Sequence, residues 1–274
     1  MFAHEFVRNA YLAGTFIALG CGVVGWFVVL RGQLFAGDAL THVAFVGAIA
    51  AAVVGLDERV GLFVLTLVVA GGMAALGRRG QADDVVIGTV FAWILGIGVL
   101  LLAVLATSSQ GGTGIAAANT LFGSIYSLSP SGSRLAAVIG VAVSAGVLLA
   151  LRPLLLSTLD EELAAVRGVP ARALGVGFLV LLAVVTAEST QAVGALLLLG
   201  LLAAPAGAAH RLTASPYRGL AVSALIAVVA MWGGLALSYE FAALPPSSAI
   251  IGLAGAAYAS ATLFARGRAR ARRR

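Results

Sequence analysis

The sequence predicts an all-α polytopic membrane protein, a single membrane domain of about nine transmembrane helices. Three observations predict it. Hydrophobic residues make up 61% of the 274 positions and charged residues only 10%, with a mean hydropathy of +1.07. Apolar runs of about 20 residues, each long enough to cross a hydrocarbon core as a helix, recur along the chain. The 35 glycines, with abundant alanine, suit close helix packing in a bilayer. A soluble domain of this size could not hide so much apolar surface.

The spans follow as apolar runs between polar breaks. The first, near residues 10–30, is unbroken up to Arg31. It follows an N-terminus lacking the basic start and cleavage site of a signal peptide, so it is expected to be retained. The second, 36–55, carries Asp38 and His42 and then runs apolar as "VAFVGAIAAAVVG". The third, 60–77, lies between Arg59 and Arg78. The fourth, 85–107, follows Asp83 and Asp84, acidic residues suited to the positive end of a helix dipole. The stretch 107–132 is rich in Gly and Ser and reads as an excursion outside the hydrocarbon. Further spans are placed near 134–151, 172–187, 191–209, 219–238 and 248–265. Glu188 then falls in a turn, and Pro205 bends the seventh span. Eight helices with one re-entrant segment is the alternative count. No internal repeat is visible.

Arginine placement sets the orientation. With the C-terminus cytoplasmic, the inward segments carry Arg31, Arg78, Arg79, Arg152, Arg167, Arg172, Arg211, Arg218 and the six arginines of "RGRARARRR". Only Arg8, Arg59 and Arg134 stay outside, and the N-terminus faces out. The domain is therefore read as residues 1–265, with 266–274 a basic tail anchored against anionic lipid of a prokaryotic plasma membrane. No aromatic or soluble scaffold accompanies the tail, which argues against nucleic acid. The single cysteine, Cys21, excludes an internal disulfide. The chain has no HExxH, no GxSxG and no GxxxxGK[ST], and no lysine at all. No ATPase site is expected here, so any energy the chain uses would come from a partner or an ion gradient.

The largest inward loop, residues 152–175, reads "RPLLLSTLDEELAAVRGVPARALG". Ser157 or Thr158 is placed to cap a short helix, with Asp160, Glu161 and Glu162 in its first turn. Arg167 lies near its end, Gly168 stops it and Pro170 follows. An interfacial connector is the plain reading; a helix that seats in another protein is the functional one. The run "ELAAVRG" resembles the EAA loop by which ATP-binding-cassette importer permeases couple to their ATPases. Six stretches, "GCGVVGWFVVLRGQLFAGDALTHVAFVG", "DDVVIGTVFA", "LFGSIYSLSP", "DEELAAVRGVP", "QAVGALLLLGLLAAPAGAAHRLT" and "LSYEFAALPPSSAIIGL", resemble in order the motifs of the zinc/manganese ABC-3 permease family.

That resemblance implies a fold like the type II importer permeases and a homodimeric pore carrying zinc or manganese inward. It also implies partners: cytoplasmic ABC ATPase subunits, an extracytoplasmic metal-binding protein and a second copy of the chain. The coupling residues it implies are Asp160, Glu161, Glu162, Leu163, Ala164, Ala165 and Gly168. Asp38 and His42 match the polar pair of the family's pore. Ala242 and Ala243 stand where family members often have an acidic residue, and nearby Glu240 is a candidate substitute.

The residues support the pair independently. Asp38 and His42, four apart on a helix, project from one face. Carboxylate with neutral imidazole suits zinc or manganese, with a slight preference for zinc, and the lack of thiolates argues against a tight structural zinc site. The metal is cargo; no permanent cofactor is expected. Asp38 capping the second span, with His42 packed, is the structural alternative. Glu240 and His210 are weaker candidates for metal contact, Glu188 weaker still. A proton-coupled secondary metal transporter is the alternative function; it would show broken or repeated helices with ligands in both halves.

Overall fold

A computed structural model describes residues 4–77, 83–107, 121–241 and 243–271. The elements are α1 (Glu5–Leu30), α2 (Leu34–Val53), α3 (Glu58–Leu76), α4 (Asp84–Thr107), a 3-10 turn at Ile125–Ser127 and α5 (Pro130–Leu149). Then follow α6 (Leu151–Leu159), α7 (Glu161–Val166), α8 (Ala171–Val193), α9 (Leu198–Leu212), α10 (Pro216–Glu240) and α11 (Pro246–Ala271). Arg78 and Arg79, residues 108–120 of the polar excursion, Ala242 and the last three arginines lie outside the described residues.

Among the described residues, eight helices are long and apolar enough to cross a membrane. The expected seventh span, 191–209, is the one not among them. Helix α8 continues through Glu188 to Val193, Gly194 turns at φ 93°, and α9 begins only at Leu198. Its 15 residues rise about 22 Å, short of a hydrocarbon core of about 30 Å. Glycine at position 194 meets two needs: a left-handed backbone and close contact with the chain at Leu121–Gly123. Pro205 lies inside α9, where it removes the N–H that would bond the carbonyl one turn back.

Helix α1 is the centre of the bundle, packed against α5, α8, α9 and α10, while α2 packs against α3, α4 and α8. Small residues let the backbones approach. A side chain at Gly25 would strike the Leu202 carbonyl, and Gly47 of α2 and Gly61 of α3 each occupy the place where the other's Cβ would stand. Gly47→Leu should therefore force α2 from α3 and cost about 1–3 kcal/mol or more of stability. A thermal-denaturation scan in detergent checks this; an unchanged midpoint would mean the two helices are not in close contact.

Residues that arginine counting puts on one side do lie together. At one end, Arg31 donates to Thr158 Oγ1 at 3.3 Å and His210 stacks on Trp26. At the other, Arg59 pairs with Glu188, Ser124 N–H donates to the Gln191 carbonyl at 3.2 Å, and Ser247 donates to the Phe122 carbonyl at 2.7 Å. Helix α2 runs from the Arg31 end to the Arg59 end. The segment before α5 is tied down at the Arg59 end by Tyr126, whose hydroxyl donates to the Leu235 carbonyl at 2.9 Å. Burial pushes the Tyr126 pKa up, which keeps it a donor.

Candidate functional site

Helix α2 starts at Leu34, where the Gln33 carbonyl accepts from the Gly37 N–H. Asp38 thus stands one full turn inside, and the capping alternative is excluded by position. With a rise of 1.5 Å per residue, Asp38 and His42 lie about 6 and 12 Å along the helix from its Arg31-end start. Their side chains stack on one face, His42 Nε2 lying 4.0 Å from Asp38 Oδ1. Neither is sealed off: the side chains are 31% and 19% exposed. Phe91 of α4 flanks the imidazole with its ring centre 5.3 Å away, and Phe35 meets Phe91 edge-on. The pair is a polar strip beside an aromatic wall.

Among the described residues, no group of three or more His, Cys, Asp or Glu side chains converges on a common point. The Asp38–His42 pair would thus offer at most two donors per chain, fewer than a first-row divalent ion takes. The lower-ranked candidates are elsewhere. His210 is bound to Trp26 twice, with Nε2 3.2 Å from the Trp26 carbonyl and the rings stacked at 5.0 Å. Glu240 is the last residue of α10 and is exposed, and among the described residues it belongs to no group of three or more His, Cys, Asp or Glu side chains.

Glu188 departs most from the sequence reading. It is not in a solvated turn but inside α8, 3% exposed, and accepts from Arg59 Nη2 at 2.6 Å. Arg59 comes from the start of α3, 129 positions away, a pairing no local pattern announces. Cys21 is also buried, its sulfur 3.2 Å from Ser189 Oγ. Removing Arg59 should destabilise the fold by about 3–5 kcal/mol, since the Glu188 carboxylate stays buried without its partner; removing Glu188 should cost less, since the Arg59 side chain is 22% exposed. Neutralising both should restore most of the loss. Denaturation midpoints of Arg59→Gln, Glu188→Gln and the double variant test this.

The loop between α5 and α8 holds the other candidate set. Asp160, not Ser157 or Thr158, is the cap: its carboxylate accepts from the Leu163 N–H at 2.8 Å, and the helix it starts is the six-residue α7. Ser157 and Thr158 end α6, their hydroxyls donating back to the Leu154 carbonyl. The correction follows from chain geometry: Asp160 has extended backbone, as a cap requires, while the residues before it are helical. Glu161 opens α7 and Glu162 is exposed. Ala164 is buried against the protein, Ala165 is exposed, and Gly168 leaves the helix at φ 71°. Leu163 and Val166, three apart, are 39% and 85% exposed and form one apolar face directed away from the bundle.

One contact joins the two candidate sets. Arg31, at the α1–α2 connection, reaches Thr158, two residues before Asp160, and lies over the Phe178 ring at 5.2 Å. The segment entering α2 is thus fastened to the segment entering α7.

Residues 3–265 match the family described as ABC 3 transport family. The chain is 27% identical over 266 residues to the manganese transport system membrane protein MntC of Halalkalibacterium halodurans, covering 97% of this chain and 87% of that one. It is 29% identical over 240 residues to the chelated iron transport system membrane protein YfeD of Yersinia pestis, covering 87% and 79%. Among solved structures, PsaBC from Streptococcus pneumoniae in complex with Fab superposes with a TM-score of 0.80 at 26% identity, covering 94% of this chain and 91% of that chain.

Proposed function

We propose, from the premise that this chain belongs to the ABC 3 transport family, that it forms the pore of an ATP-driven importer for a first-row divalent metal, paired with a second copy of itself. The observation that carries the reading is the Asp38–His42 strip, a carboxylate and an imidazole on an accessible face of a membrane helix. Charged and ionisable groups at that depth are costly and are kept where they serve transport. Two copies facing one another supply four ligands, enough to hold a metal between subunits and to release it when they move apart.

The family is a membrane component whose ATP hydrolysis resides in separate subunits, which favours ATP over a proton gradient as the energy source. The exposed Leu163 and Val166, with Glu162 beside them, form the surface that seats in the ATPase. The Arg31 end is then cytoplasmic, the basic tail with it, and the Arg59 end faces the extracytoplasmic metal-binding protein. The relatives named for manganese and iron support a metal of that class and favour manganese over the slight sequence preference for zinc. An oxygen and imidazole donor set accommodates manganese equally well.

The complex of this chain with its ATPase and binding protein, reconstituted in vesicles, tests the reading. ATP hydrolysis should rise on loading the binding protein with Mn2+, and more than with Zn2+. Stimulation by neither metal would overturn it. Thr158→Val, which removes the acceptor for Arg31, should keep the ATPase bound while metal moved per ATP falls about two- to fivefold, a change of about 0.4–1 kcal/mol. Unchanged stoichiometry would exclude a coupling role for that contact.

A further inference from the structure

Among the described residues, no hydrogen bond holds the His42 imidazole in place. Its Nε2 stands 4.0 Å from Asp38 Oδ1, too far for one, and neither ring nitrogen has another partner. A metal-binding imidazole ordinarily donates its second N–H to a carboxylate or a carbonyl, which fixes both the tautomer and the direction of the ring. Here another contact has to set that direction.

The contact present is aromatic. Phe91 of α4 lies with its ring centre 5.3 Å from that of the imidazole, the two planes tilted by 56°. At this separation ring pairs attract one another beyond the area they bury. Phe91 is itself braced. Phe35 meets it edge-on at 6.1 Å, and the Phe35 ring lies beside Gly88, where an added side chain would come within 3.7 Å of it. Phe35, Asp38 and His42 fall three and seven positions apart, on one stripe of α2. Phe91 therefore reaches from α4 onto the stripe that carries both candidate ligands. Helix α4 packs chiefly on α2, so this one helix contact sets where Phe91 stands.

We infer that Phe91 is a positioning residue for the metal site: its ring holds the His42 imidazole with Nε2 turned toward Asp38, in place of the usual hydrogen bond. This role rests on the transport reading and adds what keeps the pair ready for an ion. In zinc sites a carboxylate oxygen lies about 2.0–2.2 Å from the metal and an imidazole nitrogen about 2.0–2.1 Å, so two atoms on one ion stand at most about 4.3 Å apart. Oδ1 and Nε2, at 4.0 Å, are already within that reach. A ring free to turn would take Nε2 away and leave Asp38 alone. A ring contact also puts no polar atom beside the ion to compete for it.

The complex of this chain with its ATPase, in nanodiscs and titrated with MnCl2, tests the role, with bound Mn2+ read from the loss of the free-ion EPR signal. Phe91→Leu, which keeps bulk but not the flat ring, should raise the apparent Kd about tenfold, because one aromatic contact is lost from each of two copies. Phe91→Tyr, which keeps the ring, should stay within about twofold of the parent. In a His42→Ala background Phe91→Leu should add less than about twofold, since its effect runs through the imidazole, whereas in Asp38→Ala it should keep its full effect. An unchanged Kd in Phe91→Leu, equal losses in the leucine and tyrosine variants, or the same loss with and without the imidazole would overturn the role. Should Phe91→Leu not fold, Phe35→Leu leaves Phe91 unbraced and should also weaken binding; an unchanged Kd there would overturn the role as well. Weaker binding in His42→Ala with none lost in Phe91→Leu removes the role of Phe91 and leaves the transport reading standing. Parental binding in His42→Ala removes both.

Discussion

Alanine at Asp38 or at His42 is expected to reduce metal uptake about 100-fold or more, while the protein still folds and still binds its ATPase. The magnitude follows from ligand number: loss of an outer-shell partner alone costs a metal site about 10–100-fold, and each of these changes removes a ligand itself. In the proposed homodimer each substitution would strike twice, leaving two of the four proposed donors. Both side chains are partly exposed on the α2 face, so their loss opens no core cavity. Asp38→Asn and His42→Gln, close in shape, should be nearly as inactive and exclude a packing explanation. Uptake of 54Mn by vesicles holding the full complex is the measurement, with basal ATP hydrolysis as the control. Wild-type uptake in both alanine variants would remove the metal-site proposal.

A comparable loss is expected from the other side of the mechanism. Glu162→Lys reverses a charge on the exposed surface of α7, and Val166→Glu places a carboxylate in its apolar face. Each should abolish co-purification of the ATPase and reduce uptake about tenfold or more, with thermal stability unchanged because neither side chain is buried. Gly168→Val acts through the backbone. At φ 71° a β-branched residue costs about 1–3 kcal/mol, so α7 would end differently and present its face at another angle. Metal binding at α2 should survive all three, which separates docking from ligation. Intact ATPase binding in all three would show that another surface makes the contact.

The alternation of apolar runs with arginine was legible because a bilayer imposes it: each span must be about 20 residues of apolar sequence, and positive charge is retained on one side. The spacing of Asp38 and His42 was legible for a similar reason, since four residues in a helix is one turn. The start of α7 was harder. Ser157, Thr158 and Asp160 are all good caps, and the choice among them depended on where α6 stopped. The break before α9 was misplaced because Glu188 and Gln191 look like a polar turn, although their segment is helical.

Glu188 shows the limit most directly. Read along the chain it is a charge at the edge of an apolar run; in the fold it faces an arginine 129 residues earlier. Composition and periodicity are local quantities, so the sequence by itself determined the membrane class, the count of crossings to within one and the placing of Asp38 and His42 on one face of α2. Long-range partners depend on which helix backbones come close enough to touch. The Arg59–Glu188 pair, the tie from Arg31 to Thr158 and the capture of His210 by Trp26 were therefore decided only when glycines such as Gly25, Gly47 and Gly61 let particular helices pack together.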